Sequence, residues 1–116
     1  MEPTACEIRT FKSEKMGDDG SIIFGMYYPA GKGRKKPYIA IYMGSIKKYA
    51  ANNNLSMEDM VEVTTLHEQA HHLQMTHGIP FSEPFANGFA LKRFLKIHGR
   101  LPKVKMGDWK YELLTA

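Results

Sequence analysis

Cysteine is nearly absent from this chain of 116 residues, since Cys6 is the only one. A single cysteine excludes an intramolecular disulfide, so we expect a reducing compartment and a cytoplasmic protein. Long apolar runs are also lacking, and no segment approaches the roughly 20 apolar residues of a membrane-spanning helix. The first residues have neither the basic nor the apolar segment of a signal peptide. We therefore expect a soluble protein with no membrane partner.

The excess of charge is small, at a formal +4, and the hydrophobic content of 43% is ordinary for a globular protein. The length suits one domain, which we expect to cover residues 1–116. Basic residues gather in residues 31–36 and again at Lys103 and Lys105, where they could contact phosphates. A solvated basic loop is the simpler interpretation, because no aromatic and basic pattern of an RNA-binding sheet accompanies them.

Three segments have the pattern of strands. Residues 6–12 and 21–29 alternate between apolar and polar side chains, and residues 17–20 between them are a strong turn signal. The pattern predicts that these two strands form a hairpin. Residues 37–43 are almost wholly apolar and predict a third, largely buried strand.

Helix signals fill the second half of the chain. Ser56 and Ser82 are typical N-cap residues, and Gly78 and Gly99 are typical of helix ends. Strands followed by helices indicate an α+β domain. The predicted helices cover residues 46–52, 57–75 and 83–98.

Chemistry is indicated by His67, Glu68 and His71, which fall inside the second long helix as His-Glu-x-x-His. Residues four apart share one face of a helix, so both imidazoles can bind one Zn²⁺ at roughly 2.0–2.1 Å. Glu68 projects about 100° around the helix from His67. It could therefore act as general base toward a metal-activated water without being a ligand. The alternative is a pair of histidines hydrogen-bonded within the core.

A catalytic zinc usually has three protein ligands, so a third must come from elsewhere. Glu83 is the first choice, because it opens the next helix and the small Ala86 permits a close approach. Asn87 follows one turn later and could accept the free ring N–H of a ligand histidine. Glu83 could instead be an acidic residue favoured by the helix dipole. His77 is the alternative ligand, although proteases with three histidines have a glycine where this chain has Gln74.

This pattern resembles the gluzincin group of zinc metallopeptidases, and the length and layout resemble the single-domain minigluzincins. The matching residues are His67, Glu68, His71, Glu83, Ala86 and Asn87. By this resemblance His67, His71 and Glu83 would bind Zn²⁺. Glu68 would be the general base in the hydrolysis of a protein or peptide substrate.

The resemblance, which covers about residues 37–94, also implies a fold. A small twisted sheet of three or slightly more strands would pack on the active-site helix and on a second, glutamate-bearing helix. An edge strand, either residues 37–43 or a neighbour, would hold the substrate. Minigluzincins are also known in latent forms, and here residues 106–116 could block the cleft. Cys6 could instead cap the zinc as a thiolate, although a lone cysteine is more often simply buried.

The connection from His71 to Glu83 is short, and this limits how Glu83 can reach the metal. A helix intact to His77 would end about 9 Å above His71, at roughly 1.5 Å per residue. Glu83 can then reach the metal only if the helix unwinds early or if the turn after His77 descends.

The sequence therefore predicts a zinc-dependent endopeptidase, active or latent. One alternative is a catalytically inactive zinc-binding protein with a regulatory or interaction role. The other is a basic module that associates with nucleic acid.

Overall fold

The computed structural model describes residues 6–31, 33 and 36–104. It has a mixed sheet of three strands with three helices, so the α+β prediction is confirmed. The strands are β1 (Glu7–Phe11), β2 (Gly25–Tyr28) and β3 (Tyr38–Tyr42), and the helices are α1 (Met43–Asn52), α2 (Met57–His77) and α3 (Glu83–His98).

The order of the sheet is β1-β3-β2, with β1 parallel and β2 antiparallel to β3. The predicted hairpin of the first two strands is therefore wrong. The predicted turn does form, since the Gly17 amide donates to the Ser21 carbonyl at 2.8 Å. The residues on either side of it pair through an isolated antiparallel bridge between Met16 and Ile22, not through two strands. Strand β3 is the central strand. Its Ile39 and Ile41 side chains are fully buried, and burial of apolar surface is most complete for a strand with a neighbour on each side. That position separates β1 from β2.

Helix α1 begins directly after β3, three residues earlier than predicted. Gly44 permits this, because a Cβ atom there would lie 2.5 Å from the Lys12 carbonyl oxygen and 2.7 Å from the Ser13 carbonyl carbon. The next residue, Ser45, accepts a hydrogen bond from the Lys15 amide at 2.8 Å. The segment after β1 therefore packs against the start of α1 and is hydrogen-bonded to it.

Helix α2 begins and ends at the predicted signals. The Ser56 hydroxyl accepts a hydrogen bond from the Asp59 amide at 3.1 Å, and Gly78 ends the helix in the left-handed conformation. The last helical residue is His77, two residues beyond the predicted end. Helix α3 has the predicted bounds, with Ser82 as N-cap and Gly99 as the closing residue.

Helix α2 lies between the sheet and α3. Met60 joins a buried cluster with Ile39 and Ile41 of the central strand. On its other side, α2 and α3 share a cluster of four buried residues, Val63, Leu66, Ala90 and Phe94. The next turns of α2 bury polar side chains instead, and such groups are stable only with partners.

The chain after α3 returns to the start of α2. Arg100 donates to both carboxylate oxygens of Asp59, at 2.8 and 3.0 Å, and the Lys103 amide donates to Asp59 at 2.7 Å. The predicted blocking segment 106–116 lies outside the described residues, as do Lys105 and residues 32, 34 and 35 of the basic loop. Within the described part of the chain, no helix is both long and apolar enough to cross a bilayer.

Candidate metal centre

Two imidazoles meet on one face of α2. The Nε2 atoms of His67 and His71 lie 3.1 Å apart, and the two rings are nearly perpendicular. Together with Glu68 they form a group whose potential ligand atoms all lie within 4.8 Å of one another. This His-Glu-His group could hold a metal ion.

Glu83 reaches the same point from the first residue of α3. Its two carboxylate oxygens lie 3.0 Å from His67 Nε2 and 2.9 Å from His71 Nε2. Two ligands on one tetrahedral ion, each at roughly 2.0–2.1 Å, stand about 3.3 Å apart. The three atoms therefore have nearly the spacing of tetrahedral ligands. Glu68 belongs to the same group, but Glu83 is the carboxylate in direct contact with both imidazoles.

The turn between α2 and α3 descends, which meets the condition set by the short connection. Helix α2 runs intact to His77, and the Gly78 and Ile79 amides both donate to the Gln74 carbonyl oxygen. The chain folds back and enters α3 at Ser82, whose hydroxyl accepts from the Phe85 amide at 3.3 Å. Glu83 follows at once and so lies at the level of the histidines.

The site is buried on one side and open on the other. The His71 side chain is 4% exposed and that of His67 13%, whereas the Glu83 side chain is 63% exposed. A ligand or substrate could therefore approach past Glu83.

Glu68 is buried beside the edge strand. Burial, and secondly the negative charge of Glu83, raise the pKa of the Glu68 carboxyl to about 8. The β2 backbone passes close to it, because a Cβ atom on Gly25 would lie 3.4 Å from Glu68 Cγ and 2.7 Å from Thr64 Cγ2. A buried carboxyl with a strongly shifted pKa next to potential ligands is typical of a functional acid or base.

Asn87 lies beside His67. Its side chain hydrogen-bonds to His67. Burial and the neighbouring His71 lower the pKa of His67, and Glu83 and Asn87 oppose them. The net effect favours the neutral imidazole, which is the form that binds metals.

The other histidines lie elsewhere. His77 is exposed at the end of α2, six residues after His71, and is not a member of the His-Glu-His group. His72 is buried, with its Nδ1 atom 2.7 Å from the Tyr27 hydroxyl. His98 contacts Glu62. Cys6 packs against the apolar cluster of the sheet.

Two further residues contact the His71 ring. Gln74 Oε1 lies 2.9 Å from His71 Nδ1. The Phe81 ring stacks on the His71 ring, with centroids 4.1 Å apart. The helical spacing of three residues predicts Gln74 on the face of α2 that carries His71. Sequence analysis missed Phe81, because only the path of the turn brings it there.

Two cavities of about 340 and 360 Å³ flank the site, and both are lined by Gly25, His67, Glu68 and Glu83. The edge strand beside them is β2. The predicted strand 37–43, which was a candidate for the substrate-binding edge together with its neighbours, is the central strand β3 and has a strand on each side. Each cavity adds apolar walls: Ile22, Ile23 and Phe24 in one, Met26, Tyr27 and Phe81 in the other.

Comparisons of the chain with protein-family models, with curated proteins and with solved structures found no match. The resemblance to gluzincins therefore depends on the residues of the site alone.

Proposed function

We propose that this chain is a gluzincin-type zinc metallopeptidase in which His67, His71 and Glu83 bind Zn²⁺. The observation that carries the proposal is the meeting of two imidazole nitrogens and a carboxylate at 2.9–3.1 Å from one another. All three are good metal ligands, and their spacing suits a small tetrahedral ion.

The donor set favours a transition metal such as zinc over Mg²⁺ and Ca²⁺. Two imidazoles and one carboxylate are ligands of catalytic zinc sites, which leave one position open. Mg²⁺ and Ca²⁺ prefer oxygen ligands and higher coordination numbers. Glu83 is much more exposed than either histidine, which supports an open coordination position on the solvent side.

The residues around the ligands suit the hydrolysis of a peptide bond. When bound, zinc would polarise the scissile carbonyl and activate water. Glu68 is buried next to the ligands and would accept the proton of the attacking water, then pass it to the leaving amine. The free edge of β2 would hold an extended peptide through backbone hydrogen bonds, with its side chains in the two flanking cavities.

Metal analysis tests the ligands first. Protein purified without chelator is expected to hold about one zinc per chain in wild type and in His77→Ala, and much less in His71→Ala and Glu83→Ala. His77→Ala is the matched control, because it removes an exposed histidine from the same helix. A wild type without zinc, even after reconstitution, would refute the proposal. Full zinc in Glu83→Ala would remove Glu83 from the ligand set.

The second test separates binding from catalysis. Glu68→Gln should keep zinc and lose hydrolysis of unfolded casein or quenched fluorescent peptides. Glu58→Gln makes the same change at an exposed position of the same helix and should keep both. Zinc without cleavage in wild type would instead favour the inactive regulatory protein. Loss of zinc in Glu68→Gln would make Glu68 a ligand rather than the base.

A further inference from the structure

We propose that Gln74 is a positioning residue that sets the ring form of His71 and holds the turn that delivers Glu83. The inference rests on the proposed function, because it assigns His71 and Glu83 as ligands. Gln74 touches no reacting atom and acts only through these two residues.

The orientation of the Gln74 amide follows from its neighbours. One end of the amide faces the carbonyl oxygens of Pro80 and Ser82, at 3.1 and 3.3 Å. Carbonyl oxygens only accept, so this end must be the NH₂ group. The other end, the Oε1 atom, therefore faces His71 Nδ1 at 2.9 Å.

The amide in turn determines which nitrogen of His71 carries the proton. An amide oxygen only accepts, so His71 Nδ1 must donate. In the neutral ring this leaves Nε2 with its lone pair, directed toward His67 Nε2 and Glu83. That is the tautomer a metal ligand needs, and hydrogen bonding at the other ring nitrogen is how such ligands are usually oriented.

Gln74 also forms hydrogen bonds with the turn that precedes Glu83. Its side chain holds Pro80 and Ser82, and its carbonyl oxygen accepts from the Gly78 and Ile79 amides. One residue thus binds both ends of the turn immediately before Glu83. The side chain is fully buried, so water cannot replace these partners.

The two roles are linked through one rigid amide. A change that tilts the turn would move Oε1 away from His71, and a rotation of the His71 ring would break the same contact. Phe81, within the turn, stacks on the face of His71 while Gln74 holds its edge. The position of Glu83 and the orientation of His71 are therefore set together.

The test is made first on metal-free wild-type protein. Long-range ¹H–¹⁵N spectra of the histidine rings should show a proton on His71 Nδ1, the atom that faces Gln74 Oε1, whether or not Nε2 also carries one toward Glu83. A His71 with no proton on Nδ1 would overturn the proposal, whatever any variant does. This measurement does not depend on zinc, so absence of zinc binding would refute the proposed function while the spectrum still decided on Gln74.

The second measurement is zinc affinity by competition with a chromophoric chelator. Gln74→Met keeps the length of the side chain and removes every hydrogen bond of the amide. We expect a loss of about 10–100-fold, as for other residues that orient metal ligands. His71 should then also lose its single ring form in the metal-free spectrum.

Gln69→Met is the matched control, since Gln69 lies about 140° around α2 from Gln74 and should leave affinity and ring form unchanged. Unaltered affinity in folded Gln74→Met, or an equal loss in Gln69→Met, would contradict the proposal. Circular dichroism shows whether each variant is folded.

Discussion

Gly25→Ala is expected to push the edge strand away from the metal centre. The added Cβ would lie 2.7 Å from Thr64 Cγ2 and 3.0 Å from the Ala40 carbonyl oxygen. Carbon atoms pack at about 3.5–4.0 Å, so β2 and α2 must separate by roughly 1 Å. Overpacking of this kind costs about 1–3 kcal/mol of folding free energy.

The effect can be expressed as a shift of the melting temperature. An unfolding entropy of about 2.1 cal/mol/K per residue gives about 0.24 kcal/mol/K for 116 residues. The expected decrease in Tm is therefore about 4–12 °C. If the proposed catalysis is correct, a displacement of 1 Å next to Glu68 would lower peptide hydrolysis by about 100-fold.

A second substitution tests the cause. Thr64→Ser removes the closest atom, Cγ2, so the double variant Gly25→Ala with Thr64→Ser should regain part of the lost Tm and activity. Differential scanning calorimetry and the peptide assay on all four proteins complete the cycle. Purely additive effects of the two substitutions would refute the steric argument, as would a Gly25→Ala protein with unchanged Tm.

Three further predictions concern other parts of the molecule. Asp59→Asn should cost about 1–2 kcal/mol at pH 7 in urea unfolding, because buried Asp59 accepts from Arg100 and the Lys103 amide. Arg100 lowers the pKa of Asp59, so this stability is present above about pH 4 and is lost as the pH falls further; a difference from wild type that persists at pH 2 would contradict it. Phe81→Ala should leave Tm nearly unchanged, since Phe81 is 59% exposed, yet weaken zinc binding by about 2–10-fold through the lost stacking on His71; equal affinity would refute the contribution of the ring. Zinc at about 100 times its Kd should raise the Tm of wild type, by the equivalent of about 2.7 kcal/mol, and not that of His71→Ala; equal shifts would mean that the ion binds elsewhere.

Helices α2 and α3 could be predicted closely because their ends are encoded locally, whereas α1 has no side-chain cap at its start and begins three residues before its predicted position. Ser56, Ser82, Gly78 and Gly99 each act within one helical turn, and each has the predicted role. The pairing of β1 and β2 could not be predicted in this way. A turn sequence such as residues 17–20 fixes its own conformation, but burial of β3 decides which strands become neighbours.

Part of the candidate site could likewise be predicted from the sequence, and part could not. The approach of His67 to His71 follows from helical periodicity alone. The approach of Glu83 depends on a turn that descends past Gln74. The buried Gln74 side chain holds that turn through hydrogen bonds to the Pro80 and Ser82 carbonyls, which no cap or turn signal in the sequence indicates. The sequence could therefore suggest Glu83 as a ligand but not establish how it reaches the histidines.

The compact path from α2 to α3 has a consequence for the order of folding. All three proposed ligands come from two helices joined by residues 78–82, and closing so short a loop costs little entropy. The parallel pairing of β1 with β3 instead joins residues 31 positions apart, such as Glu7 with Tyr38, and such non-local pairings form slowly. The helical pair can thus assemble before the sheet closes, and an ion captured at that stage would act as a nucleus on which the remaining chain condenses.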